Sequence, residues 1–319
     1  SKKDACILTS CDTICWLFNI RAQDLEYSPL IMAKSIIHRD GSCFIFSDQK
    51  TLKNETLNSK IKIIYKPLHH FDSHFNEYKD SIGSYLCAPN DTSFNVVMLI
   101  KEIGAKVIFK DNIVDILKAK KNTTEENGMR NAHIRDGVAL TKFIYWIKNT
   151  KNNSQSEISA SNYLDNLRSK NKNFFSLSFP TIAGSGPNGA IVHYRASNKT
   201  NRKLKKDDLF LVDSGAQYFD GTTDVTRTIA FSKVTYEQKK MYTLVLKGHI
   251  AVALSTFNEK ESGKTLDRHA RKFLKKEKLN FDHGTGHGVG SFLNVHESPP
   301  SISPLSKHKF KKGMIVSNE

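Results

Sequence analysis

The stretch from Leu209 to Phe231 constrains this chain more than any other. It has the pattern of a β-hairpin around an Asp220-Gly221 dipeptide, yet each arm holds an acid. Asp213 sits inside Leu211-Val212-Asp213-Ser214-Gly215, and Asp224 inside Thr222-Thr223-Asp224-Val225-Thr226-Arg227. An isolated buried carboxylate is expensive, so two in neighbouring strands are either metal ligands or an arginine-paired structural device. Arg227 keeps the second reading open. A two-residue turn at Asp220-Gly221 would pair Asp213 with Thr228 and leave Asp224 about 13 Å away along the strand, too far to share two metals. Convergence of the acids instead requires a hairpin centred near Tyr218-Phe219, with Asp220-Gly221 absorbed as a bulge or bend, and that is the expected register.

Around this hairpin the 319 residues divide into two expected domains, 1–121 and 122–319. The first alternates β-rich runs (Ala5–Thr9, Ser42–Ser47, Lys60–Tyr65, Ser93–Leu99, Lys106–Phe109) with helical stretches and reads as a small α/β domain. Lys118 to Asn122 reads as a charged, polar linker. Thr123 with Glu126, and Ser154 with Glu157, have capping-box spacing before two long helices. Period-two strands follow at Ser176–Thr181 and Ala190–Tyr194, flanking a turn with Gly184, Gly186, Pro187 and Gly189. Thr235 with Gln238 caps a third helix, and Leu266–Leu274 lies in a fourth. Helices with antiparallel strands between them give an α+β second domain with helices backing a curved sheet.

Hard divalent metals prefer carboxylate oxygens with an occasional imidazole. A second chemical cluster supplies imidazoles: His283-Gly284-Thr285-Gly286-His287-Gly288 holds two histidines in a glycine-rich segment that allows close backbone approach. His296-Glu297 follows, His193 precedes the hairpin, and Glu319 comes after the apolar Met314–Val316. His69, His70 and His74 lie in a polar segment without carboxylate support and read as a surface feature.

Charge and cysteine content narrow the function classes. Lys plus Arg is 48 against 32 for Asp plus Glu, a net +16 that by itself suggests polyanion binding. The cations come in short bursts (118–121, 199–206, 271–278, 307–312) that read as solvated faces, so neither nucleic acid nor membrane is expected as a partner. No apolar run approaches the roughly 18–20 residues that span a bilayer. Five cysteines without a C-x-x-C pair fit reduced thiols in the cytoplasm.

Taken together, Pro187–Tyr194, Leu211–Thr228, His283–Glu297 and Gly313–Glu319 resemble aminopeptidase P, the Xaa-Pro aminopeptidase branch of the pita-bread metallopeptidases. The resemblance extends upstream through Ile14–Arg21 and Gly128–His133. It implies a pita-bread (creatinase/aminopeptidase) catalytic domain preceded by a creatinase-like α/β domain. It also implies two divalent ions, usually Mn2+ with Zn2+ or Co2+ as options, on Asp213, Asp224, His287 and Glu319. His193, His283 and His296 match the histidines that line the substrate site and hold the developing oxyanion, and Glu319 matches the proton shuttle. The implied activity is release of the N-terminal residue from peptides with proline second, in a cytoplasmic enzyme often dimeric through its catalytic domain. Two alternatives stay open: a prolidase-type dipeptidase, or a pita-bread binding module without metal chemistry. In the family, a Pro-Gly-Tyr segment and a second glutamate follow the glutamate matched by Glu319. The expectation is therefore a chain truncated at both ends that binds metal weakly and has little or no peptidase activity.

Overall fold

The computed structural model describes residues 3–50, 52, 55–58, 61–150, 154–258 and 261–319, which fall in two compact units, 1–118 and 119–319. The first is built from β1 (Lys3–Leu8), α1 (Cys11–Leu17), β2 (Lys34–His38), β3 (Ser42–Phe46), β4 (Glu55–Asn58), β5 (Ile61–Lys66), α2 (Phe71–Glu77), β6 (Ile82–Cys87), α3 (Phe94–Glu102), β7 (Lys106–Phe109) and α4 (Ile113–Ala119). Its strands form one mixed sheet in the order β4-β5-β3-β2-β1-β6-β7, with β1–β6, β6–β7 and β3–β5 parallel. Phe44, Phe46, Tyr85 and Cys87 on the sheet pack with Phe71 and Phe75 of α2 and Val96 and Ile100 of α3.

Several expectations for this unit need correction. Ser93–Leu99 is not a strand: Ser93 is the N-cap of α3, and Val96 and Ile100, one helical turn apart, are fully buried. The apolar Val-Val-Met-Leu-Ile run hid that period. The expected strand at Lys60–Tyr65 is seen as β5, with Lys60 outside the described residues. Lys118 and Lys121 are not a solvated linker. Both ammonium groups are buried, Lys118 against Asp12 in the first unit and Lys121 against Glu297 in the second.

His74 is also not a surface residue, although His69 and His70 are exposed. It is fully buried, its Nε2 is 3.0 Å from His38 Nε2, and its ring stacks on Tyr78 beside Phe44 and Phe46. Helical spacing explains this: Phe71, His74 and Phe75 share the inward face of α2.

The second unit opens with α5 (Thr123–Asn149) and α6 (Glu157–Ser169). Their capping boxes use Asn122 with Glu125 and Ser156 with Ser159, not the Thr123/Glu126 and Ser154/Glu157 pairs, while Thr235 with Gln238 caps its helix as expected. The strands are β8 (Phe174–Leu177), β9 (Ile182–Ser185), β10 (Leu209–Ser214), β11 (Ala216–Tyr218), β12 (Gly221–Thr222) and β13 (Val225–Ala230). After them come α7 (Tyr236–Ala253), α8 (Gly263–Lys276), β14 (Gly286–Gly288) and β15 (Glu297–Ile302). They make antiparallel sheets β13-β10-β9 and β12-β11-β8 and the pair β14-β15. Leu140 and Phe143 of α5 and Leu164 of α6 cover Phe210 and Val212 of β10, so the helices back the sheet that carries Asp213. The expected strand at Ala190–Tyr194 is absent. A 3-10 turn over Gly186–Ala190 leads into irregular chain there, because the glycines and Pro187 favour a tight turn over ladder pairing.

The buried histidine generates a pH prediction. Burial, followed by the nearby His38 and Lys66, lowers the His74 pKa from 6.5 to about 3 against a small opposing pull from Glu77. His74 therefore stays neutral when folded but takes a proton below about pH 6.5 when unfolded, so stability is present above that pH and falls as pH drops towards 3. Its contribution amounts to about 2 kcal/mol lost between pH 7 and pH 5. Urea unfolding followed by Trp16 fluorescence in a Trp146→Phe chain should show this slope, and His74→Asn should flatten it; an unchanged slope would contradict the assignment.

Candidate metal centre

The hairpin register decides where the acids go. Asp213 stands opposite Thr226 and Ser214 opposite Val225, while Gln217 faces Thr222 and Tyr218 faces Gly221. All four pairs share one register, which closes on a two-residue turn at Phe219-Asp220. The expected centre at Tyr218-Phe219 is therefore displaced by one residue, and Asp220-Gly221 is no bulge. The reason is packing: a Cβ on Gly221 would lie 3.0 Å from Met129 Cα, and one on Gly128 would lie 2.1 Å from the Asp220 carbonyl oxygen. Gly221 serves the close approach of α5. In this register Asp224 falls opposite Gly215, so Asp213 and Asp224 are diagonal neighbours on one face, about 7–8 Å apart at the backbone.

His287 is brought to these acids by a backbone ladder. Its N–H donates to Ser317 Oγ (2.9 Å), the Ser317 N–H donates to its carbonyl (2.8 Å), and the Glu319 N–H donates to the Thr285 carbonyl (2.8 Å). Gly286 permits this approach, since a Cβ there would lie 2.2 Å from the Ser317 oxygen. Ser317 Oγ in turn donates to Glu319 Oε1 (2.8 Å) and steadies that carboxylate.

The ring of His287 is fixed through its far nitrogen. Nδ1 lies 2.8 Å from the Gly288 carbonyl, the geometry of an N–H donor, which leaves the Nε2 lone pair facing the acids. Nε2 is 3.2 Å from Asp224 Oδ2 and 3.1 Å from Glu319 Oε1, aligned for a hydrogen bond with neither. Asp213 Oδ1 is also buried without a hydrogen-bond partner among the described residues. One donor atom each from Asp224, His287 and His296 lies within 4.8 Å of the others. These orphaned atoms, three carboxylates and an imidazole oriented by a backbone carbonyl, fit a divalent cation. Arg227 does not pair the acids: it is exposed and donates to the Thr226 carbonyl (2.7 Å).

Electrostatics show the same demand for positive charge. Burial and then the Asp224 charge push Asp213 up to about 7. Burial draws His287 down, but Asp224, Glu319 and the Gly288 carbonyl outweigh it and raise the ring to about 10. Burial and then His287 lower His296, while Glu319 is lowered because His287 and Ser317 overcome its burial. The raised Asp213 and His287 values mark a cluster of negative charge that a bound cation would balance.

Asp213, Asp224, His287, His296, Glu319 and His193 line one cleft of about 200 Å³. The His296 ring centroid is 4.1 Å from that of His287 and 6.3 Å from that of His193. His193 has φ 55°, a left-handed conformation that is strained for a non-glycine residue. His283 does not line the cleft. It is exposed, packs on Phe281, and acts on Glu319 only through its charge. Phe179, Pro180, Ile182 and Arg195 complete the lining, and none of the four carries a motif signal.

Buried polar anchors hold these pieces. Asp136 of α5 takes a two-pronged ion pair from Arg168 of α6 (2.8 Å each) and a hydrogen bond from the Tyr218 hydroxyl (2.8 Å), while Arg168 also reaches the Ser214 carbonyl beside Asp213. Fully buried Glu157 accepts from Ser185 N–H (2.8 Å), Arg202 N–H (2.9 Å), the Tyr194 hydroxyl (2.9 Å) and Asn188 (3.0 Å), pinning the segment that carries His193.

Comparison with known proteins follows the same division. Residues 127–319 match Metallopeptidase family M24, and residues 1–125 match the Creatinase/Prolidase N-terminal domain. Probable Xaa-Pro aminopeptidase P of Paracoccidioides brasiliensis (strain Pb03) is 39% identical over 332 aligned positions, covering 98% of this chain and 53% of the relative. The Laccaria bicolor protein described in the same words is 38% identical, covering 100% of this chain and 50% of the relative. The chain thus spans about half the length of the curated relatives it matches. Among solved structures it is similar to X-prolyl aminopeptidase from Caenorhabditis elegans, described as a cytosolic enzyme with a di-nuclear active site. That match has a TM-score of 0.89 and 34% identity, covering 98% of this chain and 52% of that one. Prolidase from Pyrococcus furiosus, at 22% identity and a TM-score of 0.75, shares the fold. The second unit has the expected pita-bread fold, and the first the creatinase-like one.

The clamp beneath β10 yields a stability prediction. Asp136→Asn leaves the fully buried Arg168 without its counter-charge and should cost about 3–5 kcal/mol. Urea unfolding followed by Trp146 in a Trp16→Phe chain measures it; an unmoved midpoint would show that the pair does not anchor the unit.

Proposed function

The chain belongs to metallopeptidase family M24, and on that premise we propose that it carries the catalytic centre of an Xaa-Pro aminopeptidase, which releases the N-terminal residue from peptides with proline second. The observation behind this reading is the gathering of Asp213, Asp224, His287 and Glu319 around buried atoms that lack hydrogen-bond partners among the described residues. In this reading those four residues hold two divalent ions, which when bound supply a nucleophile from water at neutral pH and polarise the substrate carbonyl. An oxygen-rich donor set with one imidazole suits Mn2+ better than Zn2+ or Co2+.

The protein's own groups divide the remaining work. His193 and His296 hold the scissile carbonyl and the charge that develops on its oxygen. Glu319, steadied by Ser317, moves the proton from water to the leaving proline nitrogen. Phe179, Pro180 and Ile182 offer an apolar wall for the pyrrolidine ring and exclude water from it. His283 is assigned a supporting electrostatic role behind Glu319. The working enzyme is assigned to the cytoplasm as a homodimer. Four residues supply fewer donors than two five- or six-coordinate ions require, so this chain alone is assigned weak metal binding and slow turnover.

Two measurements test the reading. Mn2+ titration followed by electron paramagnetic resonance should show binding weaker than about 10 μM that Asp224→Asn or His287→Ala weakens at least about tenfold, and His283→Ala does not. Nanomolar binding would contradict the weak-site assignment, and binding indifferent to Asp224→Asn would overturn the centre itself. With Mn2+ in excess, Ala-Pro-Ala should be cleaved faster than Ala-Pro; the reverse preference would favour a prolidase.

A further inference from the structure

Resting on the proposed aminopeptidase reading, we infer that Arg195 selects peptides bearing a carboxylate beyond the proline. Arg195 is the one permanently charged cation lining the cleft among the described residues. It lies two residues beyond His193, on a segment fixed immediately before it: Tyr194 is buried and its hydroxyl donates to Glu157 (2.9 Å). The backbone before it is held, while Arg195 itself is exposed and lines the cleft.

A bland explanation would be that Arg195 neutralises the acids of the metal centre. The ion-pair geometry argues otherwise, because Asp224 and Glu319 are turned on His287, and Arg195 forms no ion pair among the described residues. Other arginines of this unit do have such partners: Arg168 with Asp136, Arg202 with Asp208, Arg271 with Asp267. Once divalent cations balance the three carboxylates, Arg195 is left as uncompensated positive charge on a wall otherwise made of imidazoles and the apolar Phe179, Pro180 and Ile182.

Position and chemistry define what it would recognise. His193, two residues before Arg195 on the same cleft-lining segment, is assigned to the scissile carbonyl, and in this inference Arg195 meets the part of the peptide that leaves. A planar guanidinium matches a carboxylate in two-pronged fashion. That carboxylate is either the side chain of an acidic third residue or the free C-terminus of a tripeptide. Because the group is exposed, its contribution is modest and screened by salt, which sets the expected discrimination at about 3- to 10-fold.

The test compares kcat/KM, and peptide affinity by fluorescence polarisation, for three C-terminally amidated peptides, Ala-Pro-Glu, Ala-Pro-Gln and Ala-Pro-Lys, and for Ala-Pro-Gln as the free acid, with Mn2+ in excess. Amidated Ala-Pro-Glu should exceed amidated Ala-Pro-Lys by about 3- to 10-fold, chiefly through KM, and the gap should shrink between 0.05 and 0.5 M NaCl. Arg195→Ala should bring the ratio near one, and Arg195→Glu should invert it. A preference of the wild type for free acid over amide at constant side chain would identify the C-terminus as the carboxylate recognised, and preference only for the glutamate peptide would identify the side chain. Equal rates for all four peptides, or a glutamate preference that survives Arg195→Glu, would overturn the inference. Failure of every Xaa-Pro peptide to bind or be cleaved would instead overturn the aminopeptidase reading on which it rests.

Discussion

Two carboxylates on one face of a two-stranded ribbon are the constraint on which the rest of this unit depends. Burial and the neighbouring Asp224 charge together push the Asp213 carboxyl up, a cost that a positive charge placed between the two acids relieves. Everything nearby arranges that placement. The register of β10 and β13 sets the acids diagonally, the ladder from Thr285 to Glu319 brings an imidazole and a third carboxylate, and the Gly288 carbonyl turns the imidazole inward.

Such a centre is only as good as its support, and the support is ionic as much as apolar. Asp136 with Arg168 ties both long helices to the strand bearing Asp213. Asp267 with Arg271 ties α8 to the segment before His287, through Thr285 and the His283 carbonyl. Lys121 with Glu297 anchors the residue next to His296. Each buried pair is a poor source of net stability but a strong source of specificity, since losing one partner strands the other charge. The net +16 therefore does not describe the site: several cations that swell that number are interior partners of acids, and their neighbours are solvated.

Much of this is legible in the sequence because chemistry leaves its mark on residue type. Acids inside apolar strands and paired histidines among glycines are enough to single out Asp213, Asp224 and His287. The hairpin centre is harder to read, since Asp220-Gly221 is the favoured turn dipeptide and only the fit of Gly221 against Met129 shows why the turn lies one residue earlier. Ser93–Leu99 misleads because a β-branched, apolar run satisfies either period, and packing of α3 on the sheet makes it helical. His74, Lys118 and Lys121 mislead in the opposite direction: polar residues read as solvent-facing unless a partner distant in sequence is known, and theirs are His38, Asp12 and Glu297. Phe179, Pro180, Ile182 and Arg195 escape a sequence reading for a different reason, because a cleft wall has no motif.

In the proposed reading, the hairpin register and the ladder to Glu319 together make a site for two cations. Anomalous diffraction from crystals of this chain soaked in excess Mn2+ tests it most directly. The account predicts two peaks about 3.5–4 Å apart, both within coordination distance of side chains drawn from Asp213, Asp224, His287 and Glu319. No peak in this cleft at saturating Mn2+, or manganese bound only elsewhere on the chain, would contradict it.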